Sequence, residues 1–240
     1  MAYNVSYKLQ GNMDAIRIAL QWDGSSVLSP TELDALERYS GFGGIKAILY
    51  PASDKEEWQK MGATDMDMGM YDGIIALHQL LKEHFNEQEY KLVIQSLKDS
   101  VLTSFYTPAV IPQTLYKVLA ENNIHPKRLY EPSAGAGIFI SEAVKTFDNL
   151  EQVTAVEKDL LTGKILAAIN SQLPVQTTTH IAALEETPVQ DNIQYDLVVS
   201  NIPFGNFSVY DPAFSDTAIT GKIHNYFFAK GLDKLSNGGL

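Results

Sequence analysis

Cysteine is absent from all 240 residues, which excludes disulfides and thiolate metal sites and is compatible with the cytoplasmic location expected here. Basic residues are scarce, 18 against 29 acidic ones, so the formal charge of -11 excludes a broad electrostatic footprint for nucleic acid. Any DNA contact has to be local or supplied from elsewhere. The N-terminal stretch lacks a basic start followed by an apolar block, and no apolar run approaches the roughly 20 residues of a membrane span, so no membrane role is expected. Repeats, low-complexity tracts and Pro/Gly/Ser linkers are missing as well. What remains is ordinary globular material, 45% hydrophobic, enough for a sizeable core.

The periodicity changes along the chain. Up to about residue 100 the apolar spacing is helical: Thr31 to Tyr39 after Ser29-Pro30, Tyr71 to Phe85 with Ile74, Leu77 and Leu81 aligned, and a further helix from about Glu87 to Leu97. Pro108 is placed to start a helix through Val118. From Lys127 short apolar strands alternate with amphipathic helices, with strands predicted at 128–131, 152–157, 175–180 and 195–200. This order predicts an α/β fold with a parallel sheet and crossover helices. The expected division is a helical N-terminal extension over 1–100 and an α/β domain over 101–240.

Glu131-Pro132-Ser133-Ala134-Gly135-Ala136-Gly137 runs from a strand through a small-residue turn into a helix from Ile138 to Phe147. Glycines at 135 and 137 remove the Cβ atoms that would block a ligand's approach, and the helix N-terminus offers unpaired N–H groups to a carboxylate or phosphate. A dinucleotide fingerprint would place a small residue at position 140, where Ile140 stands, so a pyrophosphate is disfavoured. Taken alone, the turn is equally a tight strand-to-helix connection. The next strand ends at Glu157, about 20 residues on, where a carboxylate can accept hydrogen bonds from both hydroxyls of a ribose. Glu157-Lys158-Asp159 also reads as a solvated helix start.

Tyr195 to Ser200 is a clean apolar strand that ends in Asn201-Ile202-Pro203-Phe204-Gly205. An amide side chain beside a backbone carbonyl can accept both hydrogens of a planar NH₂ group, which drives electron density onto its nitrogen so that it can attack a methyl sulfonium. Pro203 restricts Ile202 to extended geometry and so aims the residue 202 carbonyl, while Phe204 can stack on the ring that bears the amine. The alternative is a turn with a helix cap and a core aromatic.

The Glu-Pro-Ser-Ala-Gly-Ala-Gly turn, the acidic strand end and Asn-Ile-Pro-Phe-Gly, in that order, resemble the adenine-N6 DNA methyltransferases with an Asn/Asp-Pro-Pro-Tyr/Phe motif. The resemblance implies a Rossmann-like fold, S-adenosylmethionine as methyl donor and DNA adenine as target. Asn201, Ile202, Pro203 and Phe204 would be the catalytic device. Glu131, Pro132, Ser133, Ala134, Gly135, Gly137, Glu157 and Lys158 would bind the donor, with Leu184 and Glu185 near its adenine. Ser104-Phe105-Tyr106-Thr107-Pro108 is similar to the segment that packs over the donor's methionine part, with Tyr106 and Thr107 as contacts and Thr107 on the carboxylate. The helix from Ile223 to Leu235 and the turn Ser236 to Leu240 resemble the lead-in to a fifth strand, and His224 would be the histidine nearest the substrate side.

A narrower likeness runs from about residue 30 to residue 240. Leu36 to Gly44, ending in Gly41-Phe42-Gly43-Gly44, looks like the lead-in of very large methylase-helicase polypeptides of plasmids, phages and conjugative elements, which share the variant NxPFG motif. That likeness implies a restriction-modification or mobile-element setting. Ile202 departs from the proline most adenine methyltransferases carry. Because Leu240 falls at the start of the expected fifth strand, the sheet is expected to continue in a longer protein with a C-terminal recognition or helicase region, or to be covered by a second chain. Three other readings stand beside it: a protein-glutamine methyltransferase gripping an amide in the same way, an inactive donor-binding scaffold or anti-restriction module, and a nicotinamide-dependent oxidoreductase, which Ile140 disfavours. The five histidines lack metal-ligand spacing and read as surface or capping groups. Met61 to Met70 lacks a calcium-loop pattern and reads as a mobile loop.

Overall fold

The computed structural model describes residues 5–103, 106–187, 194–214 and 216–240. It falls into two compact units, Met1–Tyr106 and Thr107–Leu240.

The first unit is helical. Helix α1 (Val5–Gln21) buries Leu9, Met13 and Ile16 along one stripe. α2 (Pro30–Glu37) starts with a capping box, in which Ser29 accepts the Glu32 N–H while the Glu32 carboxylate returns to the Ser29 N–H, and Pro30 sits where its missing N–H costs nothing. A single 3₁₀ turn (Lys46–Leu49), α3 (Lys55–Lys60) and α4 (Asp65–Gly69) lead to α5 (Tyr71–His84) and α6 (Glu87–Thr103). The expected loop over Met61 to Met70 is thus corrected: its second half is α4, started by a capping box between Thr64 and Asp67. α1, too, goes unmarked by the apolar periodicity, because Gly11 and Asn12 interrupt its buried stripe.

Asn12 has a structural reason to be there. Fully buried, it donates to the Gly41 carbonyl at 2.7 Å and accepts the Ser40 N–H at 3.0 Å, which fixes the turn entering Gly41 to Gly44. Lys8 donates to the Gly43 carbonyl and Gly44 to that of Val101. Gly41, at φ +67, lies against the Tyr106 ring, which also meets Tyr39 edge to face at 5.9 Å. His78 corrects the surface reading of the histidines. It is 3% exposed, its Nδ1 pairs with the Tyr90 hydroxyl at 2.7 Å, and burial, helped by Lys82 and Lys98, lowers its pKa to about 4.

The second unit opens with α7 (Val110–Glu121) and continues β1 (Arg128–Glu131), α8 (Ile138–Thr146), β2 (Gln152–Glu157), α9 (Leu160–Asn170), β3 (Gln176–Ile181), a 3₁₀ turn (Leu184–Glu186), β4 (Leu197–Val198), α10 (Thr217–Thr220) and α11 (Ile223–Lys234). The strands form one parallel sheet in the order β3-β2-β1-β4. Their side chains alternate between two apolar clusters. Leu129, Val153, Ala155 and Leu197 pack with Tyr116, Phe139, Ile140 and Leu166 from α7, α8 and α9, whereas Tyr130 and Val156 pack with Ile223, Tyr226 and Phe227 from α11. Helices therefore cover both faces, as a parallel sheet requires. β4 is shorter than the strand expected over 195–200: Tyr195 forms an isolated parallel bridge to Leu235, and the Val198 N–H donates to the Leu240 carbonyl.

Candidate donor and amine site

The strand order creates the site. From β1 the chain proceeds outward through β2 and β3, then returns to place β4 on the other side of β1, so a crevice opens at the carboxyl ends where the order reverses. Val198 pairs with Tyr130, and the Val199 N–H donates to the Tyr130 carbonyl at 3.1 Å, so the segment beginning at Asn201 leaves the sheet beside the turn that begins at Glu131.

That turn is built tightly. The Ala134 N–H donates to the Val156 carbonyl and the Gly137 N–H to that of Ala134, each at 2.9 Å. Gly137, at φ +85, is the N-cap of α8, and no side chain caps the helix. A Cβ on Gly137 would stand 2.8 Å from Leu166 Cδ1. Glycine is needed here both for the left-handed backbone and for the close approach of α9.

Two carboxylates lie at the strand ends. Glu157 Oε2 accepts the Gly135 N–H and Oε1 the Asp159 N–H, each at 2.8 Å. Burial raises its pKa to about 7, against the lowering effect of those two donors. Glu131 is 1% exposed with Oε2 unpaired, and burial followed by the charge of Glu157 holds it well above the ordinary carboxylate range.

The other expected residues fall as follows. Pro132 and Ala134 are buried, Ser133 half-buried and Lys158 exposed. Leu184 is buried beside Tyr130 and Val156, with Glu185 half-buried next to it. Asn201, Ile202 and Pro203 are half-buried, and Ile202 packs against the α11 cluster, while Phe204 is 62% exposed. Sheet topology thus brings Glu131 to Gly137, Glu157, Lys158, Leu184, Glu185 and Asn201 to Phe204 to one edge. Thr107, half-buried, opens this unit, whereas Tyr106 belongs to the first; Ser104 and Phe105 lie outside the described residues. His224 is exposed. Among the described residues no group of three or more His, Asp or Glu could hold a metal ion, and no helix is long and apolar enough to cross a membrane.

A solved putative class I S-adenosylmethionine-dependent methyltransferase from Listeria monocytogenes shares this architecture, at 14% identity, over 98% of this chain and 71% of that one, with a TM-score of 0.50. The fold is that of the class I S-adenosylmethionine-dependent methyltransferases. A type I restriction-modification methyltransferase subunit from Streptococcus thermophilus aligns at 13% identity over 98% of this chain and 72% of that one, with a TM-score of 0.49. A putative RNA methyltransferase from Pyrococcus horikoshii aligns at 19% identity with a TM-score of 0.42, and there the match spans 55% of this chain and 59% of that one. In sequence, 142 residues are 28% identical to the Defense against restriction protein B of Escherichia phage P1, a match over 58% of this chain and only 6% of that protein's length. No family model matches the chain.

The sequence reading missed a buried polar cluster. Asp211, Tyr226 and Lys230 are all at most 3% exposed, and the Asp211 carboxylate accepts from the Tyr226 hydroxyl at 2.6 Å and from Lys230 Nζ at 2.9 Å. Nothing in one sequence distinguishes this lysine from a solvated one, although Tyr226 and Lys230 stand one helical turn apart.

Proposed function

We propose that this chain binds S-adenosylmethionine across the carboxyl ends of β1 and β2 and methylates an exocyclic amine held at the end of β4, with the N6 amine of adenine in DNA as target. The observation that carries this reading is the adjacency of β1 and β4, which sets Asn201 to Phe204 beside the glycine turn instead of across the sheet from it.

The residues present fit the donor. Glu157 is held by two backbone N–H groups, which leaves lone pairs on its carboxylate for ribose hydroxyls, and the uncapped start of α8 suits the methionine carboxylate, with Thr107 as its second contact. When bound, the donor supplies an electrophilic methyl group on sulfur. The chain's own residues prepare the nucleophile: the Asn201 amide oxygen and the Ile202 carbonyl accept the two amine hydrogens, and Phe204 stacks on the ring of a base swung out of its duplex. The exposure of Phe204 suits that role, because a core aromatic would have no face to offer. With so acidic a chain, most of the phosphate contact has to come from another region or subunit.

The test is calorimetric titration of the chain with S-adenosylmethionine, S-adenosylhomocysteine and NAD, followed by transfer of labelled methyl to unmethylated DNA and to a glutamine-bearing peptide. Binding of both adenosyl ligands but not NAD, with label in DNA adenine, is the expected result. Label in the peptide, or binding of NAD alone, overturns it. The likeness to a phage protein named for defence against restriction favours a second reading, a donor-binding module that protects an element's DNA without transferring methyl. Donor binding without transfer to any substrate is its signature.

A further inference from the structure

Asp211 and Lys230 form a buried ion pair that neither donor nor amine binding uses. Lys230 Nζ lies 2.9 Å from Asp211 Oδ2, with side-chain exposures of 2% and 1%. Tyr226 donates to the same oxygen, the Ala213 N–H donates to Oδ1, and the ammonium lies 5.7 Å from the Phe214 ring centre. Burial by itself would raise the Asp211 pKa, but the Tyr226 and Lys230 donors outweigh it and hold the group ionised below its ordinary value. Such a pair is a poor source of stability, since desolvating two charges roughly cancels their attraction and an apolar pair of similar volume serves as well. Its use here is better sought in where it fixes the backbone.

The pair closes a loop of chain. β4 leads into Asn201 to Gly205. The Phe207 carbonyl then accepts the Ile223 N–H, the Val209 N–H donates to the Thr220 carbonyl, each at 3.0 Å, and Asp211 is clamped to α11. α11 is fixed to β4 in turn. The Tyr195 N–H donates to the Lys234 carbonyl at 2.9 Å, and Gly231 brings the helix so close that a Cβ there would lie 3.2 Å from Val198 Cγ1. The segment carrying Asn201 and Phe204 is thus anchored at the strand on one side and at Asp211 on the other.

We infer that Asp211 and Lys230 are positioning residues, a buried latch that holds the Asn201–Tyr210 segment in one geometry against α11. The role assigned to that segment rests on the proposed function, but the latch itself does not.

The test compares Lys230→Met, which strands the carboxylate, with Asp211→Asn/Lys230→Met, which removes both charges and keeps an acceptor for Tyr226. The single variant is expected to melt lower and the double variant to recover. In the double variant the Val209 and Ile223 amides should exchange about tenfold or more faster, while the β1 and β2 amides and donor affinity stay as in the wild type. Where methyl transfer is measurable, kcat should fall with the donor KM unchanged. Wild-type protection of Val209 and Ile223 in the double variant overturns the latch, and so does a uniform loss across the sheet. If the double variant does not fold, Tyr226→Phe, which deletes one donor to Asp211, reads the same two amides with the same outcomes. A wild-type chain that transfers methyl to nothing sinks the functional reading alone, because exchange still decides the latch.

Discussion

Glu157 holds Gly135: its Oε2 accepts the glycine N–H at 2.8 Å, tying the end of β2 to the turn after β1. The residue proposed to meet a ribose thereby also shapes the loop on which the rest of the donor would lie.

Donor affinity should depend on pH through this carboxylate. Its pKa stands at about 7 in the folded chain against an ordinary 4.5, so folding takes up a proton between those values and the stability it contributes falls as pH rises through that window. Ribose hydroxyls donate to the ionised form. S-adenosylmethionine should therefore bind more weakly by up to about tenfold for each pH unit below 7, with a plateau above it. Titration calorimetry across this range checks the slope, and Glu157→Gln should flatten it. A flat profile in the wild type would remove Glu157 from the donor site.

Asn201→Ala should cut methyl transfer by about a hundredfold or more while donor affinity stays within about twofold, because in the proposed mechanism the lost acceptor acts only on the amine. Equal loss of donor binding would assign Asn201 a structural task instead.

Phe204→Ala should leave the melting temperature nearly unchanged, since the ring is 62% exposed, yet weaken binding of a single-stranded adenine oligonucleotide by about 1–3 kcal/mol, the worth of one base–aromatic stack. Unchanged binding would take the ring out of the substrate site.

Gly137→Ala and Gly238→Ala separate two costs. Both residues have left-handed backbones, at φ +85 and +84, but only Gly137 has a neighbour, Leu166, in the path of an added Cβ. Gly238→Ala should cost about 1 kcal/mol from the backbone alone, and Gly137→Ala about 1–2 kcal/mol beyond that. Chemical denaturation of the two variants reads the difference.

Asn12→Ala should destabilise the first unit by about 1–3 kcal/mol, because it leaves the Gly41 carbonyl and the Ser40 N–H without their buried partner. A melting temperature equal to that of the wild type would show that water replaces the amide.

The parallel sheet was legible because strands alternate with helices along this half of the chain, and β1 and β2 lie at 128–131 and 152–157, as expected, although β3 is the largely polar run Gln176–Ile181. The shared position of the candidate segments, as distinct from their role, was legible for a related reason: strand ends in such a sheet share one edge, so finding the strands places Glu131, Glu157 and Asn201 there together. α4 was hidden because five residues show no apolar period, and only the Thr64–Asp67 capping box announces it. The burial of His78 and of the Asp211–Lys230 pair was hidden for a different cause. Each depends on a partner far along the chain, 12 residues away for Tyr90 and 19 for the ion pair, and local pattern carries no information about such pairings.

The central place of β1 has a consequence for biosynthesis. Asp196 accepts the Lys127 and Arg128 N–H groups and so seals the start of β1, but it is made 68 residues after Arg128, roughly 3–14 s later at a translation speed of roughly 5–20 residues per second. In that interval the nascent strand keeps one bare edge, open to pairing with a neighbouring polypeptide. The turn after β1 and the Asn201 segment are joined only when this late strand docks, so a chain stalled before residue 195 has half of the crevice and none of the Asn201 segment that borders it.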